Sequence, residues 1–131
     1  NTINYSSPVQ VPGTIWSKVF KSCGDDSIHA IQKNDKTVWV MGNNDDYRLG
    51  LGDQTKYSSP VQLSGTNWYR VGGNGWTSAG VKTDGTLWTW GYLGGTVHNN
   101  NTTLSSPKQV GSGTDWSTAD IDGLNAPYMC T

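Results

Sequence analysis

The sequence contains no glutamate: its ten acidic residues are all aspartate. It has one phenylalanine, two histidines and two cysteines, and no apolar run near the roughly 18 residues of a membrane-spanning helix. Each scarcity removes a class of protein. Without glutamate, and with many Gly, Asn, Ser and Thr residues that favour turns, the usual material of amphipathic helices is missing. Nine basic residues against ten acidic ones leave a formal charge of −1, which lacks the basic excess that phosphate binding requires, so nucleic acid is not an expected partner. No charged-then-apolar leader opens the chain, and no membrane insertion is expected. Cys23 and Cys130 permit at most one internal bridge and read as two buried free thiols. They lack CxxC or Cys/His spacing, and His29 and His98 lie in an apolar alternation and an Asn-rich stretch, so neither a zinc site nor any other cofactor is expected. At 131 residues there is room for one domain at most. Opening on Asn1 and closing on Met129-Cys130-Thr131, the sequence reads as a piece of a longer or processed chain.

What is abundant is glycine, tryptophan and self-similarity. Ser6-Ser7-Pro8-Val9-Gln10 leads to Trp16, Ser58-Ser59-Pro60-Val61-Gln62 to Trp68, and Ser105-Ser106-Pro107-Lys108-Gln109 to Trp116. A second register agrees, since Asn34-Asp35-Lys36-Thr37-Val38-Trp39 returns as Thr83-Asp84-Gly85-Thr86-Leu87-Trp88. Between these landmarks the apolar residues alternate with period two, as in 16–20, 28–32, 37–41 and 86–90, which is the signature of strands. Asp84-Gly85 predicts a two-residue type I′ hairpin, with Asn34-Asp35-Lys36 doing the same work in the first repeat. Short strands at a fixed period of roughly 50 residues, without helices, predict an all-β fold of propeller blades. The repeats divide as 1–57, 58–104 and a partial third at 105–131, giving two to three blades. An arc of that size leaves apolar faces to be covered by further blades of a longer chain or by other copies.

Several of these residues carry a family resemblance. Val40-Met41-Gly42-Asn43-Asn44 followed by Arg48-Leu49-Gly50-Leu51-Gly52-Asp53, the Ser-Pro-Val-Gln element, and Asp84-Gly85-Thr86-Leu87-Trp88-Thr89-Trp90-Gly91 together resemble the regulator-of-chromosome-condensation repeat. The resemblance covers nearly the whole chain and implies blades of a seven-bladed β-propeller. The pattern departs at Tyr47, where the family has glycine, and after Gly91, where Tyr92-Leu93-Gly94-Gly95 replaces the Asn-Asn and Leu-Gly elements.

Residues that recur blade after blade are read as packing elements: Trp16, Trp68 and Trp116 as one set, Trp39 and Trp88 as another, with Gly42 and Gly91 closing the strand after each of the latter. Trp76 breaks the pattern. It sits in Gly72-Gly73-Asn74-Gly75-Trp76-Thr77-Ser78, where the first repeat has aspartate, and it is the candidate contact residue on a blade rim, with Tyr92 and Asn99, Asn100 and Asn101 as companions. The same turn resembles the Gly-Trp-Arg-His-Thr motif of the plant ultraviolet photoreceptors, but Thr77 and Ser78 stand where arginine and histidine would be needed. Asp25-Asp26 and Asn43-Asn44-Asp45-Asp46 read as solvated turns, because calcium-loop spacing and a closing glutamate are both missing. No nucleophile elbow, phosphate loop or His/Asp/Ser set can be placed at one site, so no enzyme is expected. The expected role is a non-catalytic binding or structural module of an extracellular, cell-surface or virion protein, acting on protein or glycan partners. A regulator such as a guanine-nucleotide exchange factor, which the founding family member resembles, is the alternative.

Overall fold

Short alternating runs become strands where the sequence shows them. In the computed structural model, residues 6–20, 28–73, 76–92, 98–99 and 101–116 are described. Strands β1 (Trp16–Phe20), β2 (His29–Lys33), β3 (Val38–Gly42) and β4 (Tyr57–Gln62) form one antiparallel sheet in that order. Strands β5 (Trp68–Gly73), β6 (Thr77–Lys82), β7 (Leu87–Gly91) and β8 (Leu104–Gln109) form a second of the same topology. The architecture is all-β, two consecutive β-propeller blades, and among the described residues there is no α-helix. Cys23, Cys130 and Asn100 lie outside the described residues.

The sheets are out of phase with the division of the sequence at 57/58 and 104/105. The Ser-Ser-Pro element does not open a blade: in β4 and β8 it closes the preceding one, pairing with β3 and β7. The tryptophan that follows it opens the next sheet, so each blade runs from one Trp landmark to the Gln before the next. The physical reason is pairing: Val61 and Gln62 sit opposite Val40 and Trp39, which fixes them to the first sheet. Pro60 and Pro107 therefore both lie on fourth strands, each paired on one side only within its sheet, the place where a missing N–H costs least.

Strand alternation sorts the faces. Val38 and Val40 point to one side of β3 and are fully buried, while Trp39 between them is half-buried on the other. The buried side of the first sheet meets Trp68, Val71 and Trp90 of the second, and Leu49 and Leu63 from the connections complete this core. On the far face of the second sheet, Ala79, Val81 and Leu87 pack with Val110. The first strands β1 and β5 approach each other across the seam, marking the inner side of the arc. Hydrogen bonds cross the seam too: Gln32 Nε2 donates to the Trp68 carbonyl at 2.6 Å, and the Trp68 N–H donates to the Lys36 carbonyl at 3.3 Å.

The hairpins differ from the two-residue turns expected of Asp84-Gly85. Gly85 N–H donates to the Lys82 carbonyl at 2.9 Å and Lys82 N–H to the Thr86 carbonyl at 3.0 Å. Only Gly85 of the loop has positive φ, at 82°. This is a three-residue loop, a type I turn followed by a left-handed residue, and the extra residue relieves Asp84 of the positive φ that a type I′ turn imposes. The Lys33–Thr37 hairpin repeats the pattern with Lys36 at φ 67°. A lysine there is strained where glycine is not. We expect Lys36→Gly to raise stability by about 0.5–1 kcal/mol in urea denaturation. Gly85→Ala should lower it, because the added Cβ would also overlap the Thr114 carbonyl.

Freed from the turn position, the aspartates do another job. Asp35 Oδ1 accepts from both the backbone N–H (3.0 Å) and the hydroxyl (2.6 Å) of Thr37, and Trp39 Nε1 donates to that hydroxyl oxygen at 3.0 Å. Asp84, Thr86 and Trp88 repeat the relay at 3.0, 2.7 and 2.9 Å. Each indole so fixed stands edge-to-face with the tryptophan that opens its own blade, Trp39 with Trp16 (6.1 Å, 83°) and Trp88 with Trp68 (6.3 Å, 74°). A lysine ammonium fills each corner. Lys33 Nζ lies 4.0 Å from the Trp39 ring centre and 5.1 Å from that of Trp16, and Lys82 Nζ lies 4.3 and 5.0 Å from Trp88 and Trp68.

The hydrogen bonds from Thr37 and Thr86 hold the Asp35 and Asp84 carboxyls below the ordinary carboxylate range. A carboxylate depressed in the folded state contributes stability that is complete above its unfolded pKa and lost as pH falls through the folded one. Melting temperature should therefore decline on acidification below the ordinary carboxylate range, with a shallower decline in a Thr37→Val/Thr86→Val double variant.

Candidate functional site

Trp76 immediately precedes β6, and Tyr92 immediately follows β7. The pairing of Thr77 with Gly91 brings the two side by side. Tyr92 N–H donates to the Trp76 carbonyl at 2.9 Å, and Thr77 Oγ1 donates to the Tyr92 carbonyl at 2.7 Å, so strand register and this clamp fix both residues at one end of the blade. Their rings meet edge-to-face, 6.2 Å apart and at 82°. Trp76 is 61% exposed and Tyr92 42%, in contrast to Trp68, which is fully buried.

Asp46 joins them from the other blade. Together the three residues line a shallow groove of about 400 Å³. Asp46 is carried on the 43–56 connection of the first sheet, which crosses the seam and is stapled there. The Arg48 carbonyl accepts from Ser78 Oγ at 2.8 Å and from Trp90 Nε1 at 2.9 Å, both of the second sheet. Asn44, fully buried, donates to the Asp53 carbonyl at 2.7 Å and accepts from the Leu49 N–H at 2.9 Å, closing the connection on itself. Gly52 N–H reaches the Ser105 carbonyl of β8 at 2.8 Å. The nearly buried Arg48 guanidinium then ion-pairs with Asp46 Oδ2 at 3.1 Å and positions that carboxylate at the rim.

Of the residues singled out from sequence, Trp76 and Tyr92 come together. Asn99 and Asn101 are exposed on the 92–103 connection and do not line the groove. His98 of that connection folds back onto the sheet, its Nε2 3.2 Å from Thr89 Oγ1; burial, and secondarily Lys108, hold the imidazole below its ordinary pKa. Trp39 and Trp88 are half-buried within their relays, Trp68 lies in the seam, and Trp116 is 37% exposed beside the second hairpin, where its N–H donates to the Gly85 carbonyl at 3.2 Å. Gly42 and Gly91 end β3 and β7 with positive φ. Sequence reasoning missed Asp46, which looked like one more solvated turn aspartate, and Arg48. The usable signal was the Leu49-Gly50 pair directly after Arg48, which marks a loop that plugs the neighbouring blade. Among the described residues no three His, Cys, Asp or Glu side chains gather as a metal-ion group.

The comparisons with known proteins agree with this geometry. The model of the regulator of chromosome condensation (RCC1) repeat matches residues 35–71, from the first hairpin to β5. Residues 35–71 are thus a match to the RCC1 repeat. The two blades resemble a human WBSCR16 crystal structure at 27% identity and TM-score 0.61, covering 73% of this chain and 25% of that one. They resemble Prp20p from Saccharomyces cerevisiae, a structure reported with its binding properties to Gsp1p and histones, at 14% identity and TM-score 0.61, over 79% of this chain and 27% of that one. A structure of Kap60 bound to yeast RCC1 (Prp20) matches at 12% identity and TM-score 0.63, over 91% and 34%. At these identities the yeast structures speak for the fold alone. The chain spans about a quarter to a third of the solved chains it matches. No curated protein sequence matches it.

Proposed function

We propose that this RCC1-like chain is a non-catalytic protein-binding module whose contact surface is the rim at Trp76 and Tyr92. The observation that carries the proposal is the pair itself: two large aromatic rings, more than two-fifths exposed and locked by backbone hydrogen bonds, at a position where the repeat places no tryptophan. Rigid, amphipathic aromatics anchor partners at low entropic cost, whereas packing tryptophans such as Trp68 are covered. A chain with 15% charged residues and no glutamate suits a stable, exposed particle or cell surface, and the parent protein is proposed to be extracellular, cell-surface or virion-borne. An exchange-factor-like regulator is the second reading, favoured by the likeness of the blades to Prp20p, a protein reported to bind Gsp1p.

The experiment is photocrosslinking from position 76 in the whole protein, in its native setting, paired with Trp76→Ala. A crosslinked protein partner whose binding weakens by about 2 kcal/mol in Trp76→Ala, at unchanged melting temperature, is the expected result. A small GTPase as the crosslinked partner would move the assignment to the second reading. Unchanged binding in Trp76→Ala would overturn the contact role.

A further inference from the structure

Among the described residues four aromatic pairs meet edge-to-face; Trp68/Trp90 is sealed in the seam, and Trp16/Trp39 and Trp68/Trp88 show what an open corner holds. In Trp16/Trp39 (83°) and Trp68/Trp88 (74°) a lysine ammonium sits 4.0–5.1 Å from the ring centres. Two rings at right angles turn one negative face toward the same point, and a cation there gains from both the quadrupole and the excluded water. The remaining pair, Trp76/Tyr92, has the same geometry (6.2 Å, 82°) but lies at the rim. It shares its groove with a carboxylate, Asp46, whose Oδ2 is taken by Arg48 and whose Oδ1 accepts no hydrogen bond among the described residues.

We propose that the Trp76/Tyr92 corner, together with Asp46, receives the ammonium group of a lysine side chain on a partner protein. The inference rests on the binding role proposed above and specifies its chemistry. Cation–π contact with the rings and a charge-assisted hydrogen bond to Asp46 would act on the same head group. The geometry selects against the competing occupant, a sugar, because pyranose rings stack on one flat aromatic face, and two rings at 82° offer a corner instead. Charge selects the sign: the groove presents a carboxylate, and Arg48, which ion-pairs with it, is only 3% exposed.

The test is an NMR titration of the protein with acetyl-Gly-Lys-Gly-amide, following the indole N–H of Trp76, assigned through Trp76→Phe. Norleucine replaces lysine in the control peptide, and methyl β-glucoside serves as the sugar probe. A saturable shift with the lysine peptide is expected, at least fivefold weaker with norleucine and at least fivefold weaker in Asp46→Asn, which keeps an acceptor for Arg48. Tyr92→Leu, outside the seam, should weaken it similarly. Equal response to norleucine, an unchanged titration in both variants, or a shift with the glucoside and none with the lysine peptide would each overturn the proposal. The two failures are distinct. A partner that depends on Trp76 while the lysine peptide is inert removes only the ligand chemistry, whereas a partner indifferent to Trp76→Ala removes the binding role itself.

Discussion

Trp68→Ala is expected to unfold the arc before it affects anything else. Trp68 is fully buried, stands edge-to-face with both Trp88 and Trp90, and carries the Lys82 ammonium over its ring. Gly80 is shaped to it: a Cβ there would come within 2.6 Å of the indole Cζ3. Removing the ring leaves a cavity in the seam between the blades, and large-to-small changes of this kind cost about 3–5 kcal/mol. For a domain of this size that corresponds to a fall in melting temperature of roughly 10–25 °C. Thermal melts followed by near-ultraviolet circular dichroism would measure it. A Trp68→Ala protein that melts with the parent would show that the seam contributes little and that the two sheets are stable separately.

Asn44→Ala is expected to be nearly as severe, for a different reason. The side chain is fully buried, and its amide closes the 43–56 connection at both ends, to Asp53 and to the Leu49 N–H. Truncation strands the buried Leu49 N–H and takes the donor from the half-buried Asp53 carbonyl, and the loss should be about 2–4 kcal/mol. It should also loosen the Arg48 staple, so that amide exchange accelerates at Leu49 and Gly50 in the first sheet's connection and the Ser78 and Trp90 side-chain bonds across the seam weaken with it. Asn44→Asp should not rescue, since it gives up the amide's donor bonds to the Asp53 carbonyl (2.7 Å) and carboxylate (3.2 Å) and buries a second carboxylate against Asp53. The exposed Asn101→Ala, by contrast, should stay within about 0.5 kcal/mol of the parent.

The strands were legible because each blade has one covered face and one half-covered face, which in β3 buries Val38 and Val40 and leaves Trp39 between them half-covered. The repeat was legible because each blade builds the same Asp-Thr-Trp relay and the same tryptophan corner. What sequence could not show is where the ladder cuts the period: Ser58-Ser59-Pro60 precedes a tryptophan in the chain but pairs backwards, and register is a property of the partner strand. The turn type was misjudged at Asp84-Gly85 because the aspartate's role is set by Thr86, two residues on, and local turn preference alone does not see that hydroxyl. At the candidate site, Trp76 stood out by breaking the repeat, whereas Asp46 is brought to it by a loop from the neighbouring blade, a long-range placement with no local signature.

The prolines on the fourth strands have a consequence for crowding. An outermost strand with free amides is a template on which another molecule can continue the sheet, and copies held close together on a shared scaffold would meet edge to edge. Pro60 and Pro107 each remove a donor from that edge, and the Gly52 N–H caps the Ser105 carbonyl on the second. The perimeter is thus poorly suited to strand addition, and dense display of many copies would not convert into fibrils along it. Neighbours are turned toward the blade ends, where side chains rather than backbone decide what sticks.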